Sequence, residues 1–486
     1  MSLWSMFRNF APGGKYANLD ATQMILTWKE DYGPLLRMKG GFGRPDSITT
    51  HNPQDFEIIM RNEGKWPQRS GPDAMAYHRS VHRADVFQGV EGLLGTRGEK
   101  WGTYRSSVNP ILMNPKNVRH YLPKLSQVNK ELLQRILEIR NPSTLEVPAS
   151  FLEELNRWTL ESVSVVALDK QLGLISTNRN NPEALRLFHL MREFFTYTMK
   201  VEIMPPIWKY YKTKSFLKYM DILDGITEIT HKYVKESIDR LEKGPTNEGT
   251  ASDNSDKSVL EKLIKIDKKL ATVVAMDMLL GGIDTTTSAM FATLLCLAKN
   301  PEKQDKLRQE LVEALPHKTS DFNEESFTNL PYLRAFIKES LRVYPIMMAN
   351  MRTAGNDMII SGYQVPKGTQ VVMVYLTLLN NDEYFPKASE FLPERWLRLP
   401  DVGGEVENKC PPSLKSKNPF IYLPFGFGSR SCVGRRIVEM EMELAIARLV
   451  RNFYIEYNYP TENAFKSLLV NVPNIPLTFK FIDVEK

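Results

Sequence analysis

From Leu270 to Leu297 nearly every residue is apolar, and that run restricts the fold more than any other part of the chain. A run of that length either crosses a bilayer or forms the buried axis of a large domain. Asp277, Gly281, Gly282, Asp284 and Thr285 to Thr287 interrupt it, and an aspartate at mid-bilayer costs about 2.5–3.5 kcal/mol. A helix through the centre of a soluble domain is therefore expected. With 486 residues, 42% of them hydrophobic and 25% charged, the chain can bury such an axis. Two glycines in mid-helix cost about 1 kcal/mol each against alanine, so Gly281 and Gly282 need a reason. A threonine hydroxyl that bonds back to the carbonyl one turn earlier bends a helix and opens a groove, and Asp284-Thr285 would set an acid and an alcohol there. Helix capping or packing is the plainer account, and it explains poorly an Asp and a Thr in so apolar a helix.

The rest of the pattern reads as one domain, mostly helical. Residues 34–50 alternate like strands with glycine turns, and Asp55 to Asn62 turns helical. From Trp101 to about Leu241 helix follows helix, with breaks at Pro115, Pro142 and Pro182. One long helix is expected through 260–298, then Pro301 to Ala314 and Pro331 to Val343. Strands are expected at Met358–Ile360 and Gln370–Tyr375, and a last helix from about Val433 to Asn452. Residues 243–258 are polar and glycine-containing, a flexible surface loop, and 400–419 form a second loop. The sequence has no internal repeats or heptads.

The cysteines are Cys296, Cys410 and Cys432. So sparse a set gives neither a disulfide framework nor a zinc site. Cys296 lies in an apolar helical run as core filler, and Cys410 precedes two prolines in a polar loop and is incidental. Cys432 lies within Phe425-Gly426-Phe427-Gly428-Ser429-Arg430-Ser431-Cys432-Val433-Gly434. Gly426, Gly428 and Gly434 allow a tight loop, and Arg430 can meet an acidic group on a ligand. The positive end of the helix that follows would favour a thiolate, whose free pKa is ~8.5. A glycine-rich turn around an inert cysteine is the plain alternative.

This segment matches the cytochrome P450 pattern FxxGxRxCxG at every fixed position, and the chain resembles that family over nearly its whole length. The resemblance implies a mostly α fold with small β-sheets, a single large triangular domain over residues 21–486. It implies haem b held by Cys432 as axial thiolate, in a loop shaped by Phe425, Gly428 and Gly434. Asp284 would relay protons from water, and Thr285 would face dioxygen at the haem. Trp101 and Arg105, matching the family's WxxxR, would serve the haem propionates with Arg352 and Arg430. Glu339 and Arg342 lie three apart on one helix face and, with Arg395 of the PERW segment, match a structural Glu-Arg-Arg network. A small lipophilic substrate would lie near Ala275, Met276, Met347, Met348 and Ala349. One departure is Ser429, where relatives often carry proline.

Further residues resemble the mitochondrial group, which draws electrons from NADPH through ferredoxin reductase and a small acidic ferredoxin. Arg334 and Lys338 match its basic docking pair, and Arg435-Arg436 its GRR sequence; plain solvation is the alternative, since charge runs are often only a soluble face. The net charge of +6 suits an acidic partner, and no arginine–aromatic patch points to nucleic acid. The opening segment 12–38 and the PERW form resemble insect members of family 12. Arg8 and Lys15 precede the first acid, Asp20, in keeping with a transit-peptide remnant over residues 1–20. Residues 203–220 mix Trp208, tyrosines and lysines, as a peripheral membrane contact would, or a packed linker. The expected address is the matrix side of the mitochondrial inner membrane, with the endoplasmic reticulum membrane as alternative. The expected activity is insertion of one atom of dioxygen into a xenobiotic or steroid. A non-oxidative haem-thiolate isomerase or lyase and a non-catalytic haem carrier or sensor are the alternatives.

Overall fold

A computed structural model describes residues 3–41, 43–176, 181–243, 257–397, 418–468 and 470–484. Nearly all of the expected loop 243–258, and Cys410, lie outside the described residues.

The apolar run forms the helix Lys268–Lys299. One stretch of it is apolar enough to cross a membrane, but 78% of that stretch is buried inside the protein, so here it is the core axis. The single helix expected over 260–298 is two, Val259–Ile266 and Lys268–Lys299. Asp267 between them is extended (φ −165, ψ 128), and its carboxylate accepts from the Leu270 N–H at 2.7 Å, capping the second helix. Against this axis pack Phe151–Ala167, Lys214–Lys243, Pro331–Val343 and Arg435–Asn452. Pro115 and Pro182 each open a helix, where the missing N–H costs nothing.

The strands form four small sheets. The largest has four strands in the order Leu35–Met38, Ser47–Thr50, Gln370–Val374, Ala349–Thr353. Ser47–Thr50 runs parallel to Gln370–Val374, and the other pairs are antiparallel. Ala349–Thr353 has no alternating pattern (Ala-Asn-Met-Arg-Thr) and was not expected as a strand; its register against Gln370–Val374 pairs Arg352 with Val371. The two-stranded sheets at 358–365, 465–473 and 453–456 with 480–483 are set by pairing across loops or long sequence separations. The helices share one large core. A second core lies under the sheet around Phe56, Val371 and Ile421, and a third joins Tyr16, Trp28, Met348 and Val374. The Cys432 loop runs from the second core into the helix Arg435–Asn452.

Candidate functional site

The loop before that helix is tied to itself. The Cys432 N–H donates to the Phe425 carbonyl at 2.7 Å, and the Ser431 N–H to the Gly428 carbonyl at 3.1 Å. Gly426 (φ +75) and Gly428 (φ +64) are left-handed, and a Cβ on Gly428 would stand 2.6 Å from a Glu63 carboxylate oxygen. Gly434 differs from expectation: its φ is −82, and a Cβ there would meet the Cys432 sulfur at an ordinary 3.9 Å. The Cys432 side chain is accessible yet surrounded by protein, so its surface opens inward. Burial pushes its thiol up; the Gly434 and Arg435 backbone N–H groups and the charges of Arg105 and Arg435 oppose this without reversing it. The helix end thus favours the thiolate, as expected from sequence, while burial works against it, and bonding to a metal ion would fix the sulfur as thiolate. Cys296 is packed in the core, and burial pushes its thiol up to about 12.

Four arginines gather round this loop. Arg430 stacks its guanidinium 3.5 Å from the centre of the Trp101 ring and donates through Nε to the Pro67 carbonyl at 2.8 Å. Its Nη2 is buried without a partner, as is Nε of Arg105. Burial lowers the pKa of Arg430 to about 9, helped by Arg69, Arg352 and Arg105. Arg69 and Arg105 both lie close enough to Cys432 to feel its charge. Sequence reasoning passed over Arg69; the signal was its place in Trp66-Pro67-Gln68-Arg69, beside the Pro67 carbonyl that takes Arg430. Trp66 fits so closely against the helix Gly98–Leu112 that a Cβ on Gly102 would stand 2.3 Å from its ring. Arg352 is already engaged. It donates to Glu63 at 2.6 Å, to the Met351 carbonyl at 3.0 Å and to the Phe427 carbonyl at 3.2 Å, so it binds the strand to the cysteine loop and has less to offer a propionate than expected.

Spare donors on Arg430 and Arg105 around an inward-facing thiol fit haem, a metal macrocycle with two carboxylates. On the central helix, Met278, Gly281, Gly282, Asp284 and Thr285 are the part-exposed residues of an otherwise buried stretch. The Thr285 hydroxyl donates to the Gly281 carbonyl at 2.8 Å, and a Cβ on Gly281 would meet nothing within 4 Å. Gly282 faces Val163, 3.1 Å from an added Cβ. Burial pushes the Asp284 carboxyl up to about 6, with the Arg192 charge opposing.

Glu339 accepts from Arg342 at 2.8 and 3.0 Å, from Arg395 at 3.0 Å, from the Leu392 N–H at 3.0 Å and from the Trp396 indole at 2.8 Å. The remaining arginine donors reach the carbonyls of Leu379, Glu390, Pro386 and Lys387. The three expected partners thus form one buried, well-satisfied knot.

Other expected residues are placed differently. Ala275 and Met276 are 1% exposed in the helical core, and Met348 packs in the third core, so these three do not line an open chamber. Met347 is exposed and Ala349 half-buried. Met278 is the accessible methionine on the helix, one turn along from Ala275. Arg334 is taken up by Glu443 (3.0 and 3.1 Å) and the Phe327 and Thr328 carbonyls, so its charge is neutralised in place. Lys338, Arg435 and Arg436 are exposed, and both arginines share Glu439.

A cationic cradle with an inward thiol, under a mostly helical fold, places the protein among the haem-thiolate enzymes. It belongs to the cytochrome P450 family, whose family model, described as Cytochrome P450, matches residues 16–481, and it is a P450 monooxygenase with haem held by a cysteine thiolate. Cytochrome P450 CYP12A2 of Musca domestica is 58% identical over 485 residues, covering 100% of this chain and 90% of that protein. Probable cytochrome P450 12a5, mitochondrial, of Drosophila melanogaster is 55% identical, covering 99% and 90%. The fold matches the crystal structure of the cytochrome P450DA haem domain with a TM-score of 0.75 at 19% identity, over 97% of this chain and 95% of that one.

Proposed function

We propose that the protein is a ferredoxin-dependent mitochondrial monooxygenase acting on small lipophilic molecules, xenobiotic or steroid. Cys432 would be the axial ligand, with Arg105, Arg430 and Arg69 serving the propionates and Arg352 bracing the loop. The bound haem supplies the iron at which dioxygen is reduced. The observation that carries the oxidative reading is the acid–alcohol pair on the open part of the central helix. A carboxyl raised to about 6 can take a proton from water and pass it on near neutral pH, and the Thr285 hydroxyl, whose own hydrogen goes to the Gly281 carbonyl, leaves its oxygen as the acceptor beside it. An isomerase, lyase or haem carrier has no use for that pair.

The mitochondrial address is supported by the relatives, several of which are named as mitochondrial proteins. The ferredoxin is supported by exposed Lys338, Arg435 and Arg436 on the cysteine side. Peripheral membrane contact is supported by exposed Ile203, Met204, Ile207, Tyr210, Tyr211 and Leu217 beside Lys209, Lys212 and Lys214.

The test is NADPH oxidation and product formation by purified protein whose reduced carbon-monoxide spectrum shows thiolate-ligated haem. Mitochondrial ferredoxin with its reductase is compared with the microsomal diflavin reductase over a panel of lipophilic compounds. Product with ferredoxin alone is the expected result. Product with the diflavin reductase alone would sink the mitochondrial reading, and no consumption of dioxygen with either would favour the non-oxidative alternatives.

A further inference from the structure

Asp277 lies on the same ridge of the central helix as Gly281 and Thr285, two turns and about 12 Å before the threonine. Its carboxylate is buried, and so is Arg79, whose Nη2 stands 2.7 Å away. Burying two charges costs several kcal/mol, and an apolar pair of similar volume would fill the space as well, so the pair needs a purpose beyond stability. Its geometry supplies one. The other carboxylate oxygen accepts from the Leu93 N–H at 2.7 Å and the Leu94 N–H at 3.3 Å, and Arg79 Nη1 donates to the Glu91 carbonyl at 2.6 Å. All these groups belong to one turn, Gly92–Gly95, and the segment leading into it. Gly92 (φ +73) presses that turn onto the helix: a Cβ there would lie 2.4 Å from Val273 and 2.6 Å from Asp277.

The turn also reaches the arginine cradle. A Cβ on Gly71, two residues beyond Arg69, would stand 3.5 Å from the Leu94 carbonyl, and Arg97 Nη2 donates to the Gly71 carbonyl at 3.4 Å. The chain then enters the helix Gly98–Leu112, which carries Trp101 and Arg105. The turn therefore spans the space between the helix bearing Asp284-Thr285 and the cradle.

We propose that Asp277, clamped by Arg79, is a positioning residue that sets how closely this turn stands on the central helix one turn before Gly281, and so the length of ligand admitted to the chamber over the open stretch Met278–Thr285. The inference rests on the haem-thiolate reading above. The probes are imidazole, 1-butylimidazole and 1-dodecylimidazole, titrated optically into the haem-loaded chain; each binds haem through its ring while the tail explores the chamber. In Asp277→Asn, imidazole affinity should stay within about twofold, whereas the dodecyl-to-butyl affinity ratio should change at least about fivefold. Amide hydrogen exchange over residues 90–96 should quicken about tenfold or more, with residues 439–450 unaffected. An unchanged ratio or unchanged local exchange overturns the clamp. If Asp277→Asn does not load haem, the paired variant Arg79→Met with Asp277→Leu, which leaves no lone charge, carries the same two readouts. A parent protein without the thiolate-haem spectrum would sink the functional reading instead.

Discussion

Glu339 and Glu441 are both glutamates with almost no exposed surface, but in opposite surroundings. Glu339 accepts from two guanidinium groups, an indole and a backbone N–H. Glu441 has Ser162 for company and an oxygen without a partner, and burial pushes its carboxyl up to about 8. At pH 7 Glu441 is mostly neutral, so Glu441→Gln should change stability by less than about 1 kcal/mol. Glu339→Gln strands two buried arginines and should cost roughly 3–5 kcal/mol. Thermal melts and haem content at pH 7 compare the two directly. Asp284 gives a pH signature. Its carboxyl is raised from 3.8 to about 6, so the folded state binds that proton more tightly than the unfolded chain does. Ionising it therefore takes stability away as pH rises from about 4 to 6, and the penalty is constant above that. Asp284→Asn does not ionise, so its melting temperature relative to the parent should climb across that window and then level off. A gap equal at pH 4 and pH 7 would contradict this assignment.

The central helix shows how one element carries both stability and access. Its start depends on the Asp267 cap, and Asp267→Ala should cost about 1 kcal/mol in denaturant unfolding. Its two glycines act differently. Gly281→Ala adds a methyl into open space and should gain up to about 1 kcal/mol from helix propensity while weakening binding of bulky azoles. Gly282→Ala must push Val163 back from 3.1 Å and should gain less. Unfolding curves on the two variants, with azole titrations, separate these effects. The strands behave otherwise. Ala349–Thr353 is held by its register with Gln370–Val374, and with it Arg352 is delivered to Glu63 and the cysteine loop. No local propensity in Ala-Asn-Met-Arg-Thr announces that pairing.

For the whole molecule, the ferredoxin docking proposed above depends on which cations remain exposed. Lys338 and Arg436 are the more exposed of the candidates and Arg334 is half-buried against Glu443, so Lys338→Glu or Arg436→Glu should raise the ferredoxin KM several-fold at low salt, with the difference shrinking at high salt. Steady-state NADPH oxidation at two ionic strengths reads this, and an equal effect at both would contradict steering. The amino-acid order alone determined the fold class, the helices opened by proline, the buried axis and the family, because helical periodicity, proline and a spaced Gly-Arg-Cys motif are local. It also named Cys432, Arg105, Arg430, Asp284 and Thr285 as candidates. Tertiary structure decided the rest. It gave Arg352 and Arg334 to acids distant in sequence, packed Ala275, Met276 and Met348 into cores, and brought Arg69 to the cradle and Asp277 to Arg79. The reason is physical: whether a charge is spare or spent, and whether a methionine faces a chamber or a core, depends on neighbours that arrive from elsewhere in the chain, and local pattern carries no record of them.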